Sequence, residues 1–259
     1  IGIVCYPTFG GSGIVASELG KALSKQHQVH FMSYKKPVRF DNSNPNMFFH
    51  KVDVPIYPLF EYPPYELALT TVIVEVVEKF NLDLIHVHYA IPHAYSAINA
   101  QAILSQKGIK IPIVTTLHGT DITLVGKSPS VISAVNYAIN KSSLVTAVSE
   151  SLRLDTLKYF SIKQKIRVIP NFIHLTQQDR VAKKKKQKII THISNFRPVK
   201  RVLDVIDVFN RVQSRIDSVL ICIGDGPDLI NAKKSVQEKK ISDKVIFMGK
   251  SNKIEDVLK

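Results

Sequence analysis

Cysteine occurs only twice in these 259 residues, as Cys5 and Cys222. Each stands in an apolar, strand-like run and the two lie in opposite halves of the chain, which argues against a disulfide framework or a cysteine-based metal site. Long apolar runs are missing as well: none approaches the ~20 residues needed to cross a bilayer as a helix. The opening residues, Ile1-Gly2-Ile3-Val4-Cys5-Tyr6, carry neither the basic segment nor the cleavage site of a secretory leader. A soluble protein of the reducing cytoplasm is therefore expected. No Asp-x-Asp pair is present to hold a metal–nucleotide, and zinc-finger spacing and RNA-recognition aromatic motifs are absent. The complete G-x-G-x-x-G dinucleotide fingerprint is missing too.

What is present is ordinary globular material, 45% hydrophobic and 22% charged, and the length suits two cores. The formal charge is +14, unevenly spread: residues 1–172 carry 16 Lys/Arg against 11 Asp/Glu, whereas 173–259 carry 19 against 10. Much of the second excess is Lys183-Lys184-Lys185-Lys186 with Lys188, between two organised regions. It reads as a solvated linker rather than a nucleic-acid patch.

Strand and helix patterns alternate along the chain. A strand Ile1–Tyr6 runs into a glycine-rich loop, Pro7 to Gly13, and a helix begins at Ser12 or Gly13, where free backbone N–H groups can meet an anion. Strands follow at Val29–Tyr34 and Met47–Val54. Tyr57-Pro58-Leu59-Phe60-Glu61-Tyr62-Pro63-Pro64-Tyr65 is too proline-rich for regular structure and too aromatic for a solvated linker, so it is expected to fold against something. A helix Glu66–Phe80, a strand Asp83–Tyr89, and a helix opened by Pro92 and His93 and running through Leu104 come next. They are followed by a strand Ile113–Leu117, a helix Val131–Asn140, a strand Leu144–Val148, a helix to Tyr159 capped by Ser149, and a strand Ile166–Ile169. After the lysines the alternation restarts at Ile189–Ile193, Val202–Val212, Val219–Ile223, Leu229–Glu238 and Val245–Met248. This is the pattern of parallel sheets wound with helices.

The most informative stretch is Val114-Thr115-Thr116-Leu117-His118-Gly119-Thr120-Asp121, an apolar run that ends in small and polar groups. Ligands of such folds sit beyond the carboxyl ends of the strands, which puts His118, Thr120 and Asp121 where a ligand binds. The bland alternative is a capped turn whose histidine is satisfied by backbone. His86 and His88, two apart, share one face of a strand. A metal is conceivable there, but no third ligand stands at a recognisable spacing, so no metal is assigned. In the second half, Ser194 to Arg201 places Arg197, Lys200 and Arg201 beside a helix start, which suits a pyrophosphate.

Several blocks carry a resemblance: Cys5-Tyr6-Pro7 with Gly10 to Gly13; Tyr62 to Tyr65; His86-Val87-His88-Tyr89-Ala90-Ile91-Pro92-His93-Ala94; Thr116 to Thr123; Asn171-Phe172-Ile173; Ile193 to Arg197 with Val199-Lys200-Arg201; and Gly224 to Pro227. Across essentially the whole chain they resemble the retaining GT-B glycosyltransferases of family 4. Within that family they resemble the branch that transfers N-acetylglucosamine from UDP-N-acetylglucosamine to L-malate, the first step of bacillithiol biosynthesis.

The resemblance implies two Rossmann-like domains facing a cleft: 1–172 for the acceptor, a linker 173–187, and 188–259 for the nucleotide sugar. It implies no cofactor and no obligatory metal. Lys200 with Arg197 or Arg201 neutralises the departing diphosphate, Gly11, Ser12 and Gly13 approach the donor phosphate, and Asn195 and Gly224 belong to the donor site. His118 contacts the donor sugar and Asp121 orients its loop, while Ser12, Tyr89, Thr120 and Asn171 hold malate. The family also places a Glu-x7-Glu segment and a returning terminal helix in its second domain, and neither is found here. The second domain is thus expected to be incomplete and this chain alone inactive. A homo-oligomer is compatible with all of this; membrane insertion and nucleic-acid binding are not expected. The rivals are a family 4 transferase with another acceptor, such as a membrane lipid, and a non-catalytic module that binds nucleotide sugar or nucleic acid on the same fold.

Overall fold

In the computed structural model, residues 1–8, 11–59, 61–172 and 187–251 are described. The chain divides into two compact units, Ile1–His174 and Leu175–Lys259. The linker expected at 173–187 falls outside the described residues except for Gln187.

The first unit is a seven-stranded sheet, parallel throughout, built from β1 (Gly2–Val4), β2 (Val29–Ser33), β3 (Met47–Lys51), β4 (Ile85–His88), β5 (Ile113–Leu117), β6 (Leu144–Ala147) and β7 (Ile166–Val168). Their order in space is β3-β2-β1-β4-β5-β6-β7. The chain leaves β1 in one direction and returns after β3 to pair β4 on its other side, so the winding reverses between β1 and β4. That reversal opens a crevice beyond the carboxyl ends of these strands, where ligands of open α/β sheets bind. Alternate residues of β1 and β2 face opposite layers, as the strand period of two requires. Ile3 and Phe31 bury against Ala16 of α1 (Gly11–Leu23). Val4 and Met32 bury against Leu69 and Ile73 of α2 (Tyr65–Phe80), in a core shared with Ala97, Ile98 and Leu104 of α3 (Tyr95–Gln106). A third cluster joins Val135 and Ile139 of α4 (Ile132–Lys141) to Leu152 of α5 (Glu150–Tyr159). Ser149 caps α5 by accepting a 3.1 Å hydrogen bond from the Leu152 N–H, the usual work of a serine before a helix.

In the segment 57–65, of which Phe60 lies outside the described residues, Leu59 is 82% exposed and Tyr62 79%, with Ile56 before them 94%. Pro55, Pro58, Pro63 and Pro64 lack the N–H groups that would tie the backbone to a neighbour, and the core beneath is already closed by α2; only at Pro64 and Tyr65 does burial begin. The helix expected from Pro92 begins instead at Tyr95, after a wide turn Ala90–Ala94 in which Ile91 is extended (φ −131°, ψ 141°) and the Ile91–Pro92 peptide is cis. A residue before proline avoids helical backbone, which keeps Ile91 out of any helix. The glycine loop is also shorter than expected, with α1 beginning at Gly11.

The second unit alternates β8 (Lys188–Ile193), α6 (Val202–Gln213), β9 (Ser218–Ile223), α7 (Leu229–Glu238) and β10 (Val245–Gly249). Its sheet is parallel, in the order β10-β9-β8. Phe196, Phe209, Leu220 and Val236 lie at its centre.

Candidate active site

Beyond β1 the chain turns tightly into α1. A Cβ added to Gly13 would sit 2.5 Å from the Thr8 carbonyl oxygen and 2.6 Å from that of Tyr6, so the helix rests directly on the loop. At Gly11 an added Cβ would meet nothing. Gly11, Ser12 and Gly13 form the first turn of α1, whose N–H groups a helix leaves without carbonyl partners. Gly13→Ala is therefore expected to lower the thermal midpoint by several degrees, about 1–3 kcal/mol for an overpacked contact. Gly11→Ala should leave it unchanged. Thermal unfolding of both variants checks this, and equal midpoints would contradict the packing.

The centre of the site is a row of three imidazoles at the ends of β4 and β5. His86 and His88 stack with ring centres 4.8 Å apart, and His88 meets His118 edge to edge with ring centres 5.0 Å apart. His88 Nδ1 and His118 Nε2 lie 2.8 Å apart and share one proton. His86 Nε2 meets Thr116 Oγ1 at 2.8 Å, which in turn meets Thr146 Oγ1 at 2.8 Å. The pairing of His88 with Thr116 across β4 and β5 is what brings His118, two residues on, beside His88. Burial pushes the imidazoles toward neutrality: His86, His93 and His118 drop to about 4, and His88 falls well below the usual value. For His118 the neighbouring His86 and His93 add to the effect.

Asp121 closes the loop behind this row. Its Oδ2 accepts the Ala90 N–H at 2.9 Å, and its Oδ1 accepts those of His118 and Gly119 at 3.2 and 3.0 Å. Burial pushes this carboxyl up to about 6 even against four backbone N–H groups, those of Ala90, His118, Gly119 and Asp121 itself, that favour its anion. One side chain thus ties the end of β4 to the end of β5. Gly119 supplies φ 112° for the turn, and Tyr89 holds φ 87°, a conformation costly for a residue with a Cβ.

A second group of rings lies beside Tyr89. Tyr6 lies 4.5 Å from His93 and 5.3 Å from Tyr89, and Tyr65 lies 6.3 Å from His93. His93 donates Nδ1–H to the His88 carbonyl at 2.5 Å, leaving its Nε2 buried without a partner; the Tyr65 hydroxyl is orphaned in the same way. Sequence reasoning did not single out Tyr6, His93 or Tyr65 as site residues. The Cys5-Tyr6-Pro7, Tyr62-to-Tyr65 and His86-to-Ala94 blocks, which contain them, carried the signal.

Of the residues expected from sequence, Tyr89, His118 and Asp121 come together here with exposed Thr120 at the loop's edge, and Ser12 lies at the start of the helix that follows neighbouring β1. Asn171 stands on another loop at the same end of the sheet. It follows β7, two strands beyond β5 and so about 10 Å across the sheet, and is exposed. Among the described residues no three His, Cys, Asp or Glu side chains are grouped to hold a metal.

In the second unit the loops after β8 and β9 are pressed together. A Cβ on Gly224 (φ 127°) would collide with the Ser194 carbonyl oxygen, and the Asp228 N–H donates to the Phe196 carbonyl at 2.9 Å. Asn195 stands between them with its Oδ1 buried and unpartnered. Arg197 and Lys200 are exposed in the turn before α6, and neither has a carboxylate partner among the described residues. The Lys200 charge reaches His192, adding to the burial that lowers its pKa. Arg201 is spent locally, on Asp204 three residues on. The three cations lie beside a helix start as expected, in and around the short turn Pro198–Lys200 that leads into α6, with Arg201 at its N-cap.

The family model for Glycosyltransferase Family 4 matches residues 9–177, and that for Glycosyl transferases group 1 matches 175–259. Over 268 aligned residues the chain is 42% identical to the N-acetyl-alpha-D-glucosaminyl L-malate synthase of Bacillus anthracis, covering 100% of this chain and 70% of that protein. It is 25% identical over 223 residues to the alpha-monoglucosyldiacylglycerol synthase of Streptococcus pneumoniae, covering 76% of this chain and 49% of the other. Among solved structures, Anabaena HepE in complex with UDP and glucose superposes with a TM-score of 0.71 at 15% identity, covering 99% of this chain and 71% of its own. Sucrose-phosphate synthase from Thermosynechococcus elongatus gives 0.70 at 14%, covering 96% and 70%. These likenesses show the GT-B fold.

Proposed function

The chain belongs to glycosyltransferase family 4, and from that premise we propose that it transfers N-acetylglucosamine from UDP-N-acetylglucosamine to the hydroxyl of L-malate with retention at the anomeric carbon, the opening step of bacillithiol biosynthesis. The observation that carries this reading is 42% identity along the whole chain to a synthase named for that product. The chemistry of the first unit supports it. Malate is a small dianion, and the groups around the β1/β4 reversal are hydroxyls, backbone N–H groups and neutral imidazoles. The one buried acid, Asp121, spends both oxygens on backbone donors. Tyr89, Thr120 and the first turn of α1 with Ser12 hold the acceptor in this reading, with Asn171 at the margin of the site. His118 meets the donor sugar.

In the second unit Asn195, Gly224, Arg197 and Lys200 form the donor site, and Arg201 assists only if it leaves Asp204. Uncommitted cations neutralise the diphosphate as it departs, the electrostatic task that a metal performs in other transferases. A water-soluble donor and a dicarboxylate acceptor place the reaction in the cytoplasm, without cofactor or nucleic acid. The test is incubation of the full-length enzyme with UDP-N-acetylglucosamine, a panel of hydroxy acids and a diacylglycerol, with products read by mass spectrometry. A hexosaminyl adduct of malate above those of the other acids is expected. Transfer to the lipid alone, or UDP binding without any transfer, would overturn the assignment.

A further inference from the structure

His88 has no role in the reaction as described above, yet it is the most constrained side chain of the site. Its ring lies near-parallel to that of His86 at 4.8 Å and meets His118 edge to edge through the 2.8 Å contact, and its carbonyl is held by the His93 Nδ1–H. It is 1% exposed, and its Nε2 has no partner among the described residues. With both rings neutral, the 2.8 Å contact between His88 Nδ1 and His118 Nε2 can be made in two ways. If His118 donates, the proton of His88 must sit on Nε2, a buried N–H facing no acceptor. If His88 donates, the orphan at Nε2 is only an unfilled lone pair. A buried donor without an acceptor is the rarer and costlier fault in folded proteins. His88 donates, His118 Nε2 accepts, and the proton of His118 is placed on Nδ1, which has no hydrogen-bond partner among the described residues.

Resting on the proposed sugar transfer, we propose that His88 is a positioning residue that fixes His118 as the Nδ1–H tautomer and turns that N–H toward a hydroxyl of the donor sugar. The arrangement suits the chemistry. Glycosyl transfer passes through an oxocarbenium-like state, positive at the sugar ring. A neutral N–H donor can hold a sugar hydroxyl there without adding a like charge. The depressed basicity of His118 keeps it in that form at neutral pH.

His88→Leu keeps the volume and removes the donor, whereas in His88→Asn an amide N–H takes the place of Nδ1–H. Turnover of wild type and both variants is measured with UDP-N-acetylglucosamine and malate, together with the histidine ¹⁵N spectrum of each. His88→Leu is expected to lower kcat about tenfold or more, the effect of one lost oriented hydrogen bond, with the malate KM changed less than about twofold. The His118 signals should move from one tautomer to a mixture, and His88→Asn should recover most of both. Turnover of His88→Leu within about twofold of wild type, an asparagine variant no better than leucine, or His118 signals unchanged by the substitution would overturn the proposal. Should wild type make no glucosaminyl malate, the function is misassigned; the ¹⁵N comparison still decides whether His88 sets the tautomer.

Discussion

Lys200→Ala is expected to reduce kcat about 10²–10³-fold, the size of effect seen when a single preorganised donor to a developing anion is removed. Among the three cations of the 197–201 turn, Lys200 and Arg197 stand without carboxylate partners among the described residues, while the Arg201 guanidinium is bound to Asp204. Arg201→Ala should therefore cost less than about tenfold, since it mainly removes an exposed ion pair worth little in itself. Steady-state kinetics of the two variants make the comparison. Equal losses, or a larger one at Arg201, would mean that the pair with Asp204 opens to receive the diphosphate.

The protein is expected to lose much of its stability between pH 6.5 and 4, without any reference to catalysis. His86, His93 and His118 titrate near 4 in the folded state, against about 6.5 in an unfolded chain. A depressed histidine contributes its full stability above the unfolded value and loses it as pH falls through the window toward the folded one, because only the unfolded chain takes up the proton there. Asp121 acts in the opposite sense: raised to about 6, it gains stability as pH falls from there toward the usual carboxylate value. At the site three histidines against one carboxylate leave about two protons taken up on unfolding, and His88, together with His30, His50 and His192 elsewhere, adds to the same side. The loss is on the order of 2–4 kcal/mol per pH unit, against a typical total of about 5–15. Hydrogen exchange of the β4 and β5 amides in a pH series, corrected for intrinsic rates, should show protection falling steeply below pH 6.5, and His93→Gln should flatten the slope. Protection that stays level to pH 4.5 would contradict the buried, neutral histidine row.

Much of this architecture was legible from apolar periodicity, because parallel strands are apolar throughout and helices alternate with them. The strand Ile113–Leu117 and the helix Leu229–Glu238 fall at the expected residues. His118 and Asp121 were legible as polar residues ending an apolar run. The row was only half visible: spacing puts His86 and His88 on one face, but nothing local says that β4 and β5 pair so as to lay His118 beside His88. Residue-by-residue register is a property of the assembled sheet. Within the segment 57–65 the exposed Leu59 and Tyr62 show that apolar and aromatic content marks burial only where the backbone can also be satisfied. Tyr65 and His93, distant in sequence, meet only once α2 and the Ala90–Ala94 turn converge on Tyr6.

The most direct measurement of the central claim is the structure of the product formed from UDP-N-acetylglucosamine and L-malate in excess chelator, isolated and read by proton NMR. One N-acetylglucosaminyl malate is expected, linked through the malate hydroxyl and showing the small H1–H2 coupling of an α-anomer. It should form at the same rate whether or not a divalent metal is added, because Arg197 and Lys200 supply the positive charge. A β-linked product, an ester to a malate carboxylate, or turnover that appears only with added metal would contradict the account.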